Sequence, residues 1–497
     1  MRDVVFDIAA ARARLGPDRV ALRDIARDVT LTYAALEARV ARCAGLMVAS
    51  GVGHGDRVGV LCRNRIAFFE VLLACARIGA VMVPLSWRAP VAELEGLLAD
   101  SAPKLLFFGA EDAESAVQLS TKRRIGFDED YEMRLRDATP AVARDFIPAE
   151  ECWYLIYTSG TTGAPKGVVQ THRMAHANYV NIAQAIDLTG ADVTLNFLPL
   201  YHTAGINLHT LPVLMAGGAV LVAPSFDAGT VLEVLKREKL TVMFAVPAVY
   251  QQLAMHPDFA TSPLSQVRSW ACGGAPLPDA LVEAYRAHGI RVQNGMGMTE
   301  TGPTAFLATP GNAWTKIGTV GRPQLLTAVR IVDADGADVQ EGETGELLFA
   351  GPAVTPGYWN KPAETAAAFI DGVWLKSGDL ARRDAEGDYF IVGRAKDMYI
   401  SGGSNVYPAE VENVLADHPG VLEAAIVGEP DDRWGEVGCA YILPRPGQTL
   451  PSEAELTDFV RTRLAAYKTP KRFVFVTEFP RTAAGKVQKH KLKELAP

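Results

Sequence analysis

The residues best suited to chemistry are crowded into one stretch, YTSGTTGAPKG, at positions 157–167. Its glycines open backbone conformations that other residues avoid, while its hydroxyl groups and its lysine ammonium donate hydrogen bonds. A flexible loop of donors that carries one positive charge is suited to binding phosphate groups. The residues that would bind phosphate are Thr158, Ser159, Gly160, Thr161, Thr162, Gly163 and Lys166.

This phosphate loop differs from the P-loop of nucleotide hydrolases. The P-loop pattern is G-x-x-x-x-G-K-[ST], whereas here Pro165 precedes Lys166 and Gly167 follows it. A surface turn rich in glycine, serine and threonine is the simpler interpretation of the composition alone. Only the other motifs of the chain favour a nucleotide site.

The segments on either side of the loop indicate where it lies. The preceding CWYLIY (152–157) is typical of a buried strand, and the following VVQTHRMAHANYV (168–180) predicts the start of a helix. The loop would then lie at the carboxyl end of a strand, which is where open α/β sheets bind their ligands.

Changes in pattern along the chain predict two domains. Strands alternate with helical patterns up to about residue 310, which predicts an α/β fold with a large, layered N-terminal body. Short strands and tight turns from about 317 to 395 predict a small β-rich subdomain of that body. After GRAKD the pattern becomes that of a compact α+β domain. The predicted domains are therefore 1–395 and 396–497.

Composition narrows the functional classes. The net charge of -8 argues against nucleic-acid binding, which requires a basic face. The six cysteines are widely spaced and form no C-x-x-C pair, so no disulfide framework or zinc site is expected and a cytoplasmic location is predicted. The longest apolar stretch, 211–224, is too short to span a bilayer, and the N-terminus lacks the apolar core of a signal peptide.

Several further motifs follow the phosphate loop in order: GMGMTET (295–301), GYWNKP (357–362), KSGDL (376–380), GRAKDMYISGGSNVYPAEVE (393–412) and PRTAAGKVQK (480–489). Together they resemble the motifs of the adenylate-forming superfamily, which contains acyl-CoA synthetases, beetle luciferases and nonribosomal peptide adenylation domains. The resemblance extends from about residue 20 to the C-terminus. It implies a ligase that converts a carboxylic acid and ATP, with Mg²⁺, into an acyl-adenylate and pyrophosphate, and then transfers the acyl group to coenzyme A.

The resemblance implies roles for residues around the nucleotide. Thr299 would meet a phosphate and Glu300 would hold magnesium, which offsets charge on the transferring group. Asp379 would bind the ribose hydroxyls, and Arg394 would reach the ribose and phosphate region. The rest of the adenine and ribose pocket would be Gly274, Ala275, Met296 and Gly297, with Met296 in place of the family's usual aromatic residue.

The resemblance also implies a mobile C-terminal domain. Lys486 would bridge the substrate carboxylate and the α-phosphate, where it neutralises charge in the transition state. Lys396 would be the hinge, because rotation there withdraws Lys486 and brings Gly402 and Gly403 to line the coenzyme A tunnel. His202 would act as a gate of the acid pocket, close to the carboxylate.

Each of these residues also has an ordinary structural explanation. Lys486 lies in a basic C-terminal segment, where most lysines are simply solvated. Asp379 fits a Ser-Gly-Asp turn, Glu300 fits the first turn of a helix, and His202 fits a packed histidine. Two other functions stay open: a ligase that loads a carrier-protein thiol, and a non-catalytic nucleotide-binding relative.

The acid is predicted only as a class. No carboxylate lies beside Tyr201 and His202 to pair with an α-ammonium group, which argues against amino acids. Gly297 stands where acetate-specific relatives have tryptophan, which predicts an open pocket floor. An uncharged lining favours a fatty acid of medium or longer chain, or an aryl acid such as ferulate. That lining would consist of Ile206, Val246, Ala248, Ala271, Cys272, Gly273 and Met298.

The sequence leaves the assembly of the protein open. It is compatible with a monomer and with a homodimer. Peripheral contact with a membrane, without an anchor, is also left open because a fatty-acid enzyme can dock in that way.

Overall fold

The computed structural model describes residues 3–158, 165–481 and 487–492. The first part of the chain alternates strands with helices, as its hydrophobic pattern predicts. Its elements are β1 (Val4–Val5), α1 (Ile8–Leu15), β2 (Val20–Asp24), β3 (Val29–Thr32), α2 (Tyr33–Ala49), β4 (Arg57–Leu61), α3 (Ile66–Ile78), β5 (Val81–Leu85), α4 (Val91–Ser101), β6 (Leu105–Phe108), α5 (Ala113–Gln118), β7 (Arg124–Gly126), α6 (Tyr131–Asp137), β8 (Ile147–Pro148), β9 (Cys152–Thr158), β10 (Lys166–Thr171) and α7 (His172–Ala185).

The strands of this part form a sheet in the order β10-β9-β5-β4-β6-β7. The five strands from β9 to β7 run parallel, and only β10 is antiparallel to its neighbour. All residues of β5 and β6 are buried, as expected for parallel strands whose two faces are both covered. A two-residue pairing of β1 with β8 lies apart from this sheet.

A second group of elements builds the next layers. These are β11 (Val193–Asn196), a π-helical turn (Ala204–Leu208), α8 (Thr210–Ala216), β12 (Ala219–Val222), α9 (Ala228–Arg237), β13 (Val242–Ala245), α10 (Pro247–Met255), β14 (Ser269–Cys272), α11 (Asp279–Arg286) and β15 (Val292–Met296). Strands β11 and β12 join β2 and β3 in a second sheet, in the order β11-β12-β2-β3. Strands β13, β14 and β15 are parallel and begin a third sheet.

Helix α3 shows how these layers are held together. Its sequence, IAFFEVLLACARI, is apolar on nearly every side, and most of its residues are buried. It packs into one core with residues of α2, of β4 and β5 in the first sheet, and of β2 and β12 in the second. The two sheets of the body are therefore joined through a shared helical layer.

The third sheet continues into the predicted β-rich subdomain. The added elements are β16 (Phe306–Leu307), α12 (Asn312–Thr315), β17 (Thr319–Pro323), β18 (Ala328–Val332), β19 (Gly345–Ala350), α13 (Pro362–Ala368), β20 (Phe369–Ile370), β21 (Trp374–Arg383) and β22 (Tyr389–Arg394). The strand order is β13-β14-β15-β16-β17-β22-β21-β19-β18, with β20 paired to β21. The β-rich part is thus hydrogen-bonded to the α/β body through β16.

The C-terminal elements form their own sheet and core. They are β23 (Tyr399–Ser401), β24 (Ser404–Val406), α14 (Pro408–Ala416), β25 (Val421–Asp431), β26 (Gly435–Pro444), α15 (Glu453–Arg461), β27 (Arg472–Phe475) and α16 (Lys489–Leu492). The sheet order is β24-β23-β26-β25, with β27 paired to β26. Val411 and Leu415 of α14 are buried in this core, and Ser452 and Glu455 form the capping box expected for α15.

Within the described ranges, no helix is both long enough and apolar enough to cross a membrane. All six cysteines are free thiols, and five of them are buried. This agrees with the expectation that the chain has no disulfide framework.

Candidate active site

The phosphate loop connects two paired strands. Thr158 ends β9 and Lys166 begins β10, and the two residues lie opposite each other in the antiparallel ladder. The predicted helix after the loop begins only at His172, because residues 166–171 form β10. The other predicted phosphate-binding residues lie outside the described residues: Ser159, Gly160, Thr161, Thr162 and Gly163.

Lys166 and Glu300 converge on one tyrosine. The Nζ atom of Lys166 lies 5.3 Å from the ring centroid of Tyr358, and the hydroxyl of Tyr358 donates a hydrogen bond of 3.1 Å to Oε1 of Glu300. Burial, and next the Glu300 carboxylate, raise the pKa of Tyr358 above its usual value, so this hydroxyl keeps its proton. A cation, a phenol and a carboxylate therefore meet beside the phosphate loop.

Backbone hydrogen bonds place Tyr358 in this position. The amide of Val169 donates to the carbonyl of Gly357 at 3.1 Å, and the amide of Trp359 donates to the carbonyl of Gly167 at 2.8 Å. The GYWNKP motif is thus paired along β10, which carries Lys166. Sequence reasoning identified this motif but assigned no role to Tyr358.

Glu300 lies in a short 3₁₀ turn, Thr299–Thr301, directly after the third sheet's β15. Its carbonyl accepts from the amide of Thr355 at 2.8 Å, and Nε2 of Gln170 donates to the carbonyl of Thr299 at 3.0 Å. Only 8% of Glu300 is exposed. The first and third sheets therefore both hold the turn that carries the predicted magnesium ligand.

Asp379 and Arg394 form an ion pair. They face each other on β21 and β22, and Nε of Arg394 lies 2.7 Å from Oδ1 of Asp379. Asp379 is only 6% exposed, and its backbone amide donates a hydrogen bond of 2.9 Å to Oγ of Ser377. The structure thus brings together the two residues that the sequence assigns to the ribose region.

The predicted adenine-side residues lie at one edge of the third sheet. Strands β14 and β15 are parallel neighbours, so Gly274 and Ala275, which follow β14, lie beside Met296 and Gly297 at the end of β15. Gly274 has a φ of 85°, which favours glycine. Met296 packs partly against the core of the β-rich part.

The backbone at Gly297 leaves no room for a side chain in this structure. A Cβ atom built at Gly297 would lie 1.5 Å from the carbonyl oxygen of Pro303. Another stretch of backbone passes directly beside Gly297, so glycine is the residue that fits there.

The predicted acid-pocket lining is only partly brought together. Ile206 and Ala271 are buried, Val246 and Met298 are half-buried, and Ala248 is exposed. The placement of Cys272 in the pocket is wrong, since it packs in the core with Trp270, Tyr250 and Tyr285 under the helices. Side chains alternate along a strand, so Cys272 and Ala271 face opposite sides of β14.

His202 is half-buried at the start of the π-helical turn. Its ring centroid lies 5.3 Å from that of Tyr201, which in turn packs edge-on against Trp87. Its amide donates to the carbonyl of Pro199 at 3.1 Å. This location leaves its predicted role as a gate untested.

The C-terminal residues lie in exposed positions. Lys396 is exposed in the turn between β22 and β23. Gly402 and Gly403, with φ values of 58° and 81°, form the exposed tip of the hairpin between β23 and β24. No heavy atom comes within 4 Å of a Cβ built at Gly403. Lys486 lies outside the described residues, just before Val487, which pairs with Arg481.

The chain is similar to known proteins over most of its length. Residues 9–359 match the family described as AMP-binding enzyme, and residues 410–486 match the AMP-binding enzyme C-terminal domain. A feruloyl-CoA synthase from Amycolatopsis sp is 41% identical over 97% of both chains. An indoleacetate–CoA ligase from Aromatoleum aromaticum is 38% identical over 97% of this chain and 96% of that protein.

Among solved structures, ATP-bound MatB from Rhodopseudomonas palustris superimposes with a TM-score of 0.90. It is 30% identical, and the superposition covers 99% of both chains. The likeness therefore includes both the body and the C-terminal domain.

Tyr358→Phe should weaken magnesium-dependent ATP binding. Loss of the hydroxyl removes a hydrogen bond that orients the Glu300 carboxylate, and the loss of such a supporting contact typically lowers metal affinity about tenfold. Calorimetric titration of ATP at a series of Mg²⁺ concentrations measures this directly. Tyr285→Phe is the matched control, because its hydroxyl bonds the remote carbonyl of Tyr250. An unchanged Mg²⁺ dependence would contradict the role of Tyr358.

Gly297→Ala should destabilise the body by about 3 kcal/mol, because the added methyl group meets the Pro303 carbonyl. Denaturant unfolding gives the free-energy change. Gly96→Ala is the control: Gly96 lies in α4 with open space around its Cβ position, so alanine should stabilise that helix by up to about 1 kcal/mol. A Gly297→Ala variant that is as stable as the parent would contradict the close approach of the Pro303 carbonyl to Gly297.

Proposed function

This chain belongs to the AMP-binding enzyme family, and on that premise we propose that it is an AMP-forming ligase that joins a hydrophobic carboxylic acid to coenzyme A. The acid and ATP give an acyl-adenylate and pyrophosphate, and the thiol of coenzyme A then takes the acyl group and releases AMP. The observation that carries the proposal is the convergence of Lys166, Tyr358 and Glu300 beside the phosphate loop.

The residues fit a magnesium ion that arrives with ATP. In the described part of the chain, no three His, Cys, Asp or Glu side chains cluster as a metal cage. Mg²⁺ commonly binds through one or two carboxylates together with substrate phosphates, so Glu300 alone is a suitable protein ligand. When bound, the ion offsets negative charge on the phosphates.

In the first step, groups that neutralise negative charge contact the triphosphate along its length. Lys166 and the phosphate loop hold the β- and γ-phosphates, and the hydroxyl of Thr299 contacts a phosphate. Asp379 accepts hydrogen bonds from the ribose hydroxyls, with Arg394 holding its carboxylate. Lys486 bridges the attacking carboxylate and the α-phosphate, where negative charge accumulates in the transition state.

The second step requires the C-terminal domain, residues 396–497, to turn relative to the body, residues 1–395. Two features support a hinge at Lys396: the residue lies in an exposed turn, and the domain beyond it has its own sheet and core. Gly402 and Gly403 are exposed at the hairpin tip, whereas residues that line a tunnel would be covered. This exposure supports the state of the enzyme before the C-terminal domain rotates. Rotation brings this tip to the pantetheine arm as Lys486 withdraws.

The cell compartment and assembly follow from the same features. The free cysteines support a cytoplasmic protein. We propose that the protein is a monomer or a homodimer.

An acid panel tests the proposed function. Pyrophosphate and AMP are measured with ATP, Mg²⁺ and one of acetate, octanoate, palmitate, benzoate, ferulate, indole-3-acetate or phenylalanine, with and without coenzyme A. We expect AMP and a coenzyme A thioester with a hydrophobic acid and neither with phenylalanine. Turnover to ADP and phosphate, or acid-dependent AMP without any consumption of coenzyme A, would overturn the proposal.

Lys486→Ala should separate the two steps. Adenylation should fall by about 100-fold or more, because a charge that neutralises the transition state is lost. Transfer from a supplied acyl-adenylate to coenzyme A should change little. Lys491→Ala, in the same basic segment, is the control and should leave both rates near those of the parent. Equal losses in both steps would contradict the division of labour.

A further inference from the structure

A small, partly open cavity lies beneath the π-helical turn. Its volume is about 10 Å³, which is room for about one water-sized group. Its polar wall includes Asn196, His209 and Thr210, and its apolar wall includes Ala204 and Phe244. The cavity therefore combines hydrogen-bonding groups with aromatic and aliphatic surface.

His209 is the unsatisfied member of this wall. It is only 7% exposed, and its Nδ1 atom has no hydrogen-bond partner among the described residues. By contrast, Nδ2 of Asn196 donates to the carbonyl of Gly205 and to Oγ1 of Thr210, both at 2.6 Å. Buried polar atoms rarely stay without partners, so the His209 ring is suited to a group that the protein itself does not supply.

The charge state of His209 limits what that group can be. Burial, reinforced by Arg268, lowers the pKa of His209 to about 4, so the ring is neutral near pH 7. A neutral imidazole has one donor and one acceptor nitrogen. It can accept from a hydroxyl or N–H group, but it carries no charge to attract a carboxylate.

Phe244 connects this cavity to the proposed acid pocket. Its ring centroid lies 6.0 Å from that of His209, at an interplanar angle of 78°. The other edge of the ring, Cζ, lies 3.3 Å from a Cβ built at Gly273. Ala204 and Leu208, which both line the cavity, flank Ile206 in the turn that follows His202. The cavity is thus adjacent to the proposed acid pocket, because the Phe244 ring lines the cavity and also lies close to Gly273.

From these contacts we propose that the cavity at His209 is the distal end of the acid-binding pocket and receives a hydrogen-bonding substituent of an aromatic acid. The substituent is a phenolic hydroxyl or an indole N–H, and Phe244 packs against the aromatic ring that carries it. A fatty acid has no such group, and its tail would leave Nδ1 of His209 without a hydrogen-bond partner. This inference rests on the proposed ligase function and specifies its substrate class.

Matched pairs of acids test the inference. 4-Hydroxycinnamate and cinnamate differ only in the ring hydroxyl, and indole-3-acetate and 1-methylindole-3-acetate differ in the N–H. The parent enzyme should show a kcat/KM about tenfold higher for the first acid of at least one pair. His209→Phe, which keeps a flat ring but loses both nitrogens, should remove that preference mainly by lowering kcat/KM for the first acid. His209→Asn, which keeps an acceptor, should retain part of it.

The outcomes are distinguishable from failure of the proposed function. If no acid yields AMP with the parent enzyme, the ligase proposal itself fails. If the parent is active but shows less than a twofold preference in both pairs, the subsite is overturned. The subsite is also overturned if a folded His209→Phe variant loses kcat/KM equally for both acids of a pair, because equal losses indicate that His209 has only a packing role. If the His209→Phe variant does not fold, the same comparison of kcat/KM between paired acids is made with the parent enzyme and the His209→Asn variant.

Discussion

The site depends on a carboxylate that is buried where a highly charged anion must bind. Glu300 would repel the phosphates of ATP unless nearby groups offset its charge. Tyr358 donates directly to it, and Lys166 lies over the face of the Tyr358 ring. Lys166 starts β10, Glu300 follows β15, and Tyr358 is paired along β10, so this arrangement exists only when the first and third sheets are assembled together.

The same assembly explains where motion is possible. The β-rich part is continuous with the third sheet through β16, and Arg394 at the end of β22 is paired to Asp379 on β21. Strand pairing therefore ties the β-rich part, up to Arg394 at the end of β22, to the body. The next sheet starts at β23 and has its own core. A rotation that preserves both sheets must use the short connection 395–398, which contains Lys396.

Much of this architecture could be predicted because it depends on local patterns. Apolar runs such as those of β5 and β6 mark buried parallel strands, and Ser452 with Glu455 marks a helix start. The environments of Gly297 and Cys272 could not be predicted from local patterns because they depend on other parts of the chain. The Pro303 carbonyl fills the space beside Gly297, and strand alternation turns Cys272 into the core. Tyr358 lies in the GYWNKP motif, which was identified from the sequence. Its contact with Glu300, however, depends on the pairing of this motif with β10, which is distant in the chain.

In the proposed function, the two ends of the substrate meet opposite kinds of environment. At the carboxylate end, lysines and a buried glutamate manage charge that moves during the reaction. At the far end, the described wall contains a histidine that burial keeps neutral, beside amide, hydroxyl and aromatic groups. A neutral wall does not disturb the electrostatics of adenylation. It can still discriminate between acids, because binding an acid whose tail cannot hydrogen-bond to the buried His209 nitrogen costs free energy. Selection of the acid and activation of the acid are thereby assigned to separate physical effects.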